Sequence, residues 1–311
     1  MRTGAGLALA MLLVAALLAA GWTAALAEAA QADSTYVENQ WNYVDGSMDV
    51  SRGIPEDADR ALSNIREAGV LRVATEPYFA PQEFIDPDLQ GQERFVGSDM
   101  ELARLIARRM GVALEIVPME FTQVLDAVAE GRCDLAISGL SYTPGRSTAV
   151  ELSKGYYFAE DYEGSTLVIR AEDADAIRGV EDLAGRDIVA QSGSLQEAQM
   201  AENALRYRQF RRVPTMTEVY RALEEGAADA AMADVENAAH YIQNNPDCGL
   251  MLVEGVRFRL EDQFAGDRVA GKKGELQLMY FVNGVIDEVL ESGQYRAWYD
   301  ESRERAARLG L

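Results

Sequence analysis

Arg146 and Asp234 are the residues whose neighbours equip them for chemistry on a small ligand. Arg146 ends the run Ser138-Gly139-Leu140-Ser141-Tyr142-Thr143-Pro144-Gly145-Arg146, which gathers hydroxyls, glycine-opened backbone and a guanidinium. A guanidinium grips a carboxylate through two parallel N–H bonds, and Ser138, Ser141 and Thr143 can add donors. Asp234 can accept from an ammonium. Gln191-Ser192-Gly193-Ser194 precedes a helical pattern, so its N–H groups and the helix N-terminus favour an anion. Taken singly these signals are ordinary, because an isolated Arg is usually a surface residue and Asp234 is placed to cap a helix over 235–241. Taken together they describe a cationic rim facing an anionic rim, complementary to a zwitterion.

Positioning them requires regular elements. VLRVAT at 70–75 predicts a strand. Met100, Leu102, Ala103, Leu105 and Ile106 lie at helical spacing and predict a helix over 98–110, stopped by Gly111. A strand over 113–118, a helix over 121–130 closed by Gly131 and a strand over 134–138 follow. The alternation resumes with strands over 187–191, 210–213 and 229–233 and helices over 195–204 and 216–225. Two helices separated by Gly293 are expected after Glu275. Such alternation predicts parallel sheets covered by helices, with ligands collecting at the carboxyl ends of strands.

The chain also repeats itself. Thr122, Val124, Ala127, Glu130, Gly131, Asp134 and Ala136 recur as Thr217, Val219, Ala222, Glu225, Gly226, Asp229 and Ala231, all at the offset that carries 122 to 217. One ungapped register across helix, stop and strand predicts two similar α/β lobes. Where the copies diverge, one ends its strand in Ser138-Gly139 and the other in Ala233-Asp234, so the two rims fall on different lobes.

Composition narrows the function. Of 311 residues, 48% are hydrophobic and 26% charged, an ordinary globular balance, with a net charge of −22. That field repels polyanions, so no nucleic-acid partner is expected. Arg2 is the sole charge before Glu28, and residues 5–27 are apolar or small with Ala25-Leu26-Ala27 at the end. This is the pattern of a cleaved signal peptide, the alternative being an uncleaved anchor. An exported protein without stable membrane insertion after cleavage is expected. Residues 28–62 form an acidic extension in which Tyr36, Trp41 and Tyr43 suggest packing on the main body or a partner-docking arm. Cys133 and Cys248 fall in different lobes and are expected to be free thiols. One His (His240, expected at the surface) and two Cys leave too little for a zinc site, and no cofactor motif is present.

The order and spacing of VLRVATEPYFAPQEF, GSDMELARLIARRMG, AEGRCDLAISGLSYTPGRS, DIVAQSGSLQE and AAMADVENAA resemble the periplasmic-type solute-binding proteins of ABC importers, nearest to the polar amino-acid binders (family 3). The resemblance runs from about Val70 to the C-terminus. It implies the type II fold, two Rossmann-like lobes joined by two crossing hinge strands near 157–163 and 261–266. Lobe one would comprise 63–160 with 264–311, and lobe two 161–263. It further implies that Arg146 grips a ligand carboxylate with help from Ser141, Gly139 and Ser138, and that Ser194 adds a lobe-two hydroxyl. Asp234 would take the ammonium, Phe79 would stack over the ligand, and Glu76 would face its side chain. Three positions depart from the family: Gln82 replaces an aromatic, Leu195 a small hydroxyl residue, and Glu76 a shorter Asp. The head-group sites are thus kept and the side-chain pocket altered, with Glu76 either meeting a cationic or amide-bearing ligand or forming a structural ion pair.

The resulting expectation is a monomeric, periplasmic, non-enzymatic binder that needs no cofactor or metal. It would deliver an amino acid or close analogue to an ABC permease after hinge closure. The family resemblance leaves two alternatives. One is a periplasmic cyclohexadienyl-dehydratase-like enzyme, with Glu76, Glu160 or Glu197 as general acid. The other is a soluble ligand-sensing partner of a receptor.

Overall fold

A computed structural model of the protein describes residues 59–158, 164–204 and 206–311. The expected signal segment and all but the end of the acidic extension lie outside these residues, as does Glu160. In chain order the first lobe opens with α1 (Ala61–Ala68), β1 (Val70–Thr75), β2 (Tyr78–Phe79), β3 (Glu83–Ile85), β4 (Phe95–Val96), α2 (Ser98–Met110) and β5 (Ala113–Pro118). It continues with α3 (Phe121–Ala129), β6 (Leu135–Ala136), α4 (Pro144–Ala149) and β7 (Val150–Leu152). The second lobe holds β8 (Ser165–Arg170), β9 (Asp187–Gln191), α5 (Leu195–Asn203), β10 (Gln209–Val213), α6 (Met216–Glu224), β11 (Ala230–Asp234), α7 (Val235–Asn244) and β12 (Leu250–Leu252). The chain then returns to the first lobe as β13 (Ala270–Lys272), α8 (Leu276–Ser292) and α9 (Gln294–Leu309).

Each lobe is a five-stranded sheet, in the orders β5-β1-β6-β13-β7 and β10-β9-β11-β8-β12. Strand alternation divides each into two packed faces. In lobe one, Leu71 and Val73 join the layer under α2 and α8, whereas Ala74 joins the layer under α3. In lobe two, Val189 and Ala231 face α6, while Ile188 and Met232 face the opposite layer with Met200. All five apolar residues that mark the helix over 98–110 are buried. A three-stranded sheet, β2-β3-β4, lies beside the first lobe and carries Phe79.

The sheets are mixed, which corrects the expectation of parallel ones. β1 runs parallel to β5 and β6, and β9 parallel to β10 and β11, as alternating strand and helix require. One strand of each sheet is reversed, β13 in the first and β8 in the second, each antiparallel to both neighbours, so the edge strands β7 and β12 run with the parallel set. The reversed strands belong to chain that has just crossed between lobes, and that chain needs no helical crossover. At the two crossings between lobes the described pairing consists of single bridges. Asp267 makes single-residue bridges to Tyr157 and Ser141, Ser165 bridges Phe258, and a 3₁₀ turn occupies Asp262–Phe264. Residues 159–163 lie outside the described part.

The internal repeat extends to hydrogen bonds. α3 and α6 coincide at the repeat offset, and both stops, Gly131 and Gly226, are left-handed at φ 75° and 69°. The Asp134 carboxylate accepts the Arg72 N–H at 2.7 Å, and Asp229 accepts the Asp187 N–H at 2.8 Å. Each repeated Asp thus ties the start of the central strand that follows it to the parallel strand beside it. Cys133 and Cys248 are both free, the first buried and the second half-buried.

Candidate ligand-binding site

Between the lobes lies a cleft of about 840 Å³, counted to its open mouth. All nine residues singled out from the sequence line it: Glu76, Phe79, Ser138, Gly139, Ser141, Arg146, Ser194, Leu195 and Asp234. Their elements explain the convergence. Glu76 follows β1, Ser138 and Gly139 follow β6, Ser194 follows β9 and Asp234 ends β11, so the carboxyl ends of both parallel sets open into one space.

Arg146 sits in α4, whose first turn is pinned by Thr143. The Thr143 hydroxyl accepts the Arg146 N–H at 3.1 Å, and Pro144 occupies the first helical position. That hydroxyl therefore caps a helix and does not face a ligand. Arg146 is 9% exposed, and its guanidinium lies 5.5 Å from the Phe121 ring centroid. Nη1 donates to the Ser141 carbonyl at 2.7 Å and Nη2 to the Gly193 carbonyl of the opposite lobe at 3.1 Å. Burial draws its pKa down to about 10, against the opposing pull of the Asp267 charge, so it stays cationic at neutral pH.

Gly139 must be glycine. Its φ is +52°, and a Cβ there would lie 3.2 Å from the Phe79 ring. Its N–H donates at 2.9 Å to the fully buried Asp99, which also accepts from the Tyr156 and Tyr295 hydroxyls at 2.8 and 2.6 Å. The Ser138 hydroxyl is likewise engaged, accepting from the Glu76 N–H and donating to Glu83, each at 3.0 Å. It therefore orients the acidic wall and has no proton left to offer a ligand.

The lobe-two anion seat is narrower than the sequence suggests. The N–H groups of Ser192, Gly193 and Ser194 donate to the Val213 carbonyl, the Glu197 carboxylate and the Gln191 carbonyl. Only the first turn of α5 remains to favour an anion. The Ser194 hydroxyl caps that helix, accepting from the Glu197 N–H at 2.9 Å and donating to Gln191 at 2.8 Å. Glu197 is held by Gly193 and Arg212 and does not line the cleft. Asp234 caps α7 through Asn237 at 3.0 Å while still facing the cleft. Helix cap and ligand acceptor are thus compatible roles.

Glu83, Gln82, Glu236 and Asp267 also line the cleft, and the site reading from the sequence omitted them apart from Gln82, noted as a family departure. Among the described lining residues, five are carboxylates and one, Arg146, is a cation. Glu76 is pushed up to about 8 by burial, partly offset by a hydrogen bond from Gln191. Burial raises Asp234 to about 6, against the Asn237 N–H. Glu83 and Asp267 are driven well above the usual carboxylate range by burial, and then by the charge of Asp99. Glu76 Oε1, Glu83 Oε2 and Gln82 Oε1 are buried acceptors without a hydrogen-bond partner. No periodicity marks such residues, because they converge from separate turns.

His240 corrects another expectation. It is 6% exposed, and its Nε2 lies 3.3 Å from the Arg303 carbonyl in α9. Burial lowers its pKa. Nearby, the Asn237 amide donates to the Ala80 carbonyl at 2.8 Å and Asn244 to the Leu311 carbonyl at 2.6 Å, so α7 spans to the first lobe.

Known proteins share this fold. An amino acid ABC transporter substrate-binding protein from Streptococcus pneumoniae bound to L-arginine superimposes with a TM-score of 0.69 at 34% identity, covering 78% of this chain and 98% of that one. The arginine-binding extracellular protein ArtP of Bacillus subtilis is 25% identical over 226 residues, 72% of this chain and 82% of its own length. Cyclohexadienyl dehydratase of Pseudomonas aeruginosa is 25% identical over 190 residues, 60% of this chain and 67% of its own. Residues 71–302 match the family description of bacterial extracellular solute-binding proteins, family 3. With a two-lobed α/β fold, a cleft at the strand ends and that match over most of its length, the chain belongs to the bacterial extracellular solute-binding proteins of family 3.

Proposed function

We propose that this protein captures a cationic α-amino acid between its lobes and passes it, as a monomer outside the cytoplasm, to an ABC permease. The ligand carboxylate would lie on Arg146, flanked by Ser141 and Gly139 and by the α5 N-terminus next to Ser194. The ammonium would meet Asp234, Phe79 would cover the ligand, and Glu76 would receive the side-chain cation near Leu195. Segments 63–160 with 264–311 and 161–263 would act as the two jaws, with the Arg146 to Gly193 bond closing across the cleft.

The observation that carries this reading is the excess of buried carboxylate over cation in the cleft wall, with acceptor oxygens of Glu76 and Glu83 left unpartnered. Unpartnered buried acceptors are unfavourable by roughly 1–3 kcal/mol each, and a ligand bringing several N–H donors relieves that penalty. Relatives named for arginine binding support the same class.

The experiment is a thermal-shift and calorimetric screen of refolded protein against the twenty amino acids, prephenate and arogenate. Stabilisation by L-arginine or L-lysine, lost in Arg146→Ala and Asp234→Ala, supports capture and transport. Turnover of prephenate or arogenate would replace it with the enzyme reading, to which a Glu76 carboxyl held protonated near neutrality is suited. A response to neutral amino acids alone would keep the head-group roles and remove the cationic side chain.

A further inference from the structure

Asp267 is not explained by the roles assigned above. It stands on the segment that crosses back from lobe two to lobe one, and its backbone is clamped there. Its N–H donates to the Tyr157 carbonyl at 3.1 Å, its carbonyl accepts from Tyr156 at 2.8 Å, and the next residue, Arg268, donates to Leu140 at 2.9 Å. It also bridges Ser141, whose carbonyl holds Arg146. The backbone thus delivers the Asp267 side chain to the cleft between the head-group residues of the two lobes. The Gln82 amide donates to that carboxyl, and its charge interacts with those of Arg146 and Asp234. Asp99 and Glu236 are its other acidic neighbours, and both are already held by tyrosine hydroxyls.

We infer that Asp267 is a second acceptor for the ligand α-ammonium, forming with Asp234 a two-carboxylate seat that selects a primary amine. The inference rests on the amino-acid reading above. A primary ammonium carries three N–H donors in tetrahedral array, and their diverging directions keep one carboxylate from receiving all three, the more so for Asp234, whose Oδ1 is oriented by the Asn237 N–H. The competing role is a counterion that only orients Arg146. The two roles separate by ligand, because a counterion to Arg146 acts on the carboxylate end and an ammonium acceptor does not.

The test compares wild type, Asp267→Asn and Asp267→Ala by calorimetric titration with L-arginine and with 5-guanidinopentanoate, which lacks the α-ammonium. Thermal unfolding without ligand checks that each variant is folded. If Asp267 accepts the ammonium, both variants bind L-arginine at least about tenfold more weakly and 5-guanidinopentanoate within about threefold of wild type, so the preference for the amino compound collapses. Unchanged affinity for L-arginine, or an equal change for both ligands, overturns the inference and leaves the amino-acid reading standing. A wild-type protein that ignores L-arginine removes the cationic amino-acid reading itself, and this inference with it.

Discussion

Arg146 is held where a carboxylate can reach it by two backbone carbonyls, one from each lobe, and by the Phe121 ring. That geometry depends on a planar fork. Arg146→Lys keeps the charge but loses the fork, and we expect about 10–100-fold weaker binding of L-arginine by calorimetry. Glu76 supplies a second prediction. Its carboxyl is pushed up to about 8 by burial, so at pH 6 it is protonated in the empty cleft. A cationic side chain favours the ionised form and expels the proton. Affinity for L-arginine should therefore rise from pH 6 to pH 8, and Glu76→Gln should flatten the rise. An affinity that falls over that window would place the cation elsewhere.

At the scale of elements, two local devices set the cleft wall. The turn after β6 needs Gly139, so Gly139→Ala should displace Phe79 and lose ligand binding, with a smaller effect on the fold read by circular dichroism. The repeated carboxylates Asp134 and Asp229 each hold a backbone N–H of the strand beside their own, Arg72 in β1 and Asp187 in β9. Replacing either by Ala should destabilise its own lobe by about 1–3 kcal/mol in denaturant titration while leaving ligand affinity nearly unchanged. Similar losses in both variants would show that the repeat is energetic as well as geometric.

At the scale of the whole molecule, the acidic cleft makes stability depend on pH. Glu76 and Asp234 have folded pKa values raised to about 8 and about 6, above those of the unfolded chain. The folded state therefore binds more protons than the unfolded state between about pH 4.5 and pH 8, and stability falls as pH rises through that window. The melting temperature of the ligand-free protein should be higher at pH 5 than at pH 8. Glu76→Gln should narrow the difference, and a bound cationic ligand should do the same from the other direction. The absence of any pH dependence would mean that the cleft carboxylates are relaxed by water in the free protein.

The sequence by itself determined the strands and helices that alternate in each lobe, the two C-terminal helices and the division into two lobes. Helical spacing from Met100 to Ile106, the glycine stops and the Thr122-to-Thr217 repeat are local signals, and local backbone preference and burial periodicity suffice to express them. It also pointed to Ser138, Gly139, Ser141, Arg146, Ser194 and Asp234, because strand ends are readable from the same pattern, whereas Glu76, Phe79 and Leu195 came from the family resemblance. Only the tertiary structure decided how polar groups were divided among partners. The hydroxyls of Ser138, Thr143 and Ser194 went to capping and wall-building, and His240 went to a buried contact with α9. It also decided the antiparallel strands, which follow from where the chain crosses between lobes, and the acidity of the cleft. Glu83, Glu236 and Asp267 share no spacing with one another or with Arg146. They meet because distant turns converge, and burial then sets their charge by a desolvation that no one-dimensional pattern encodes.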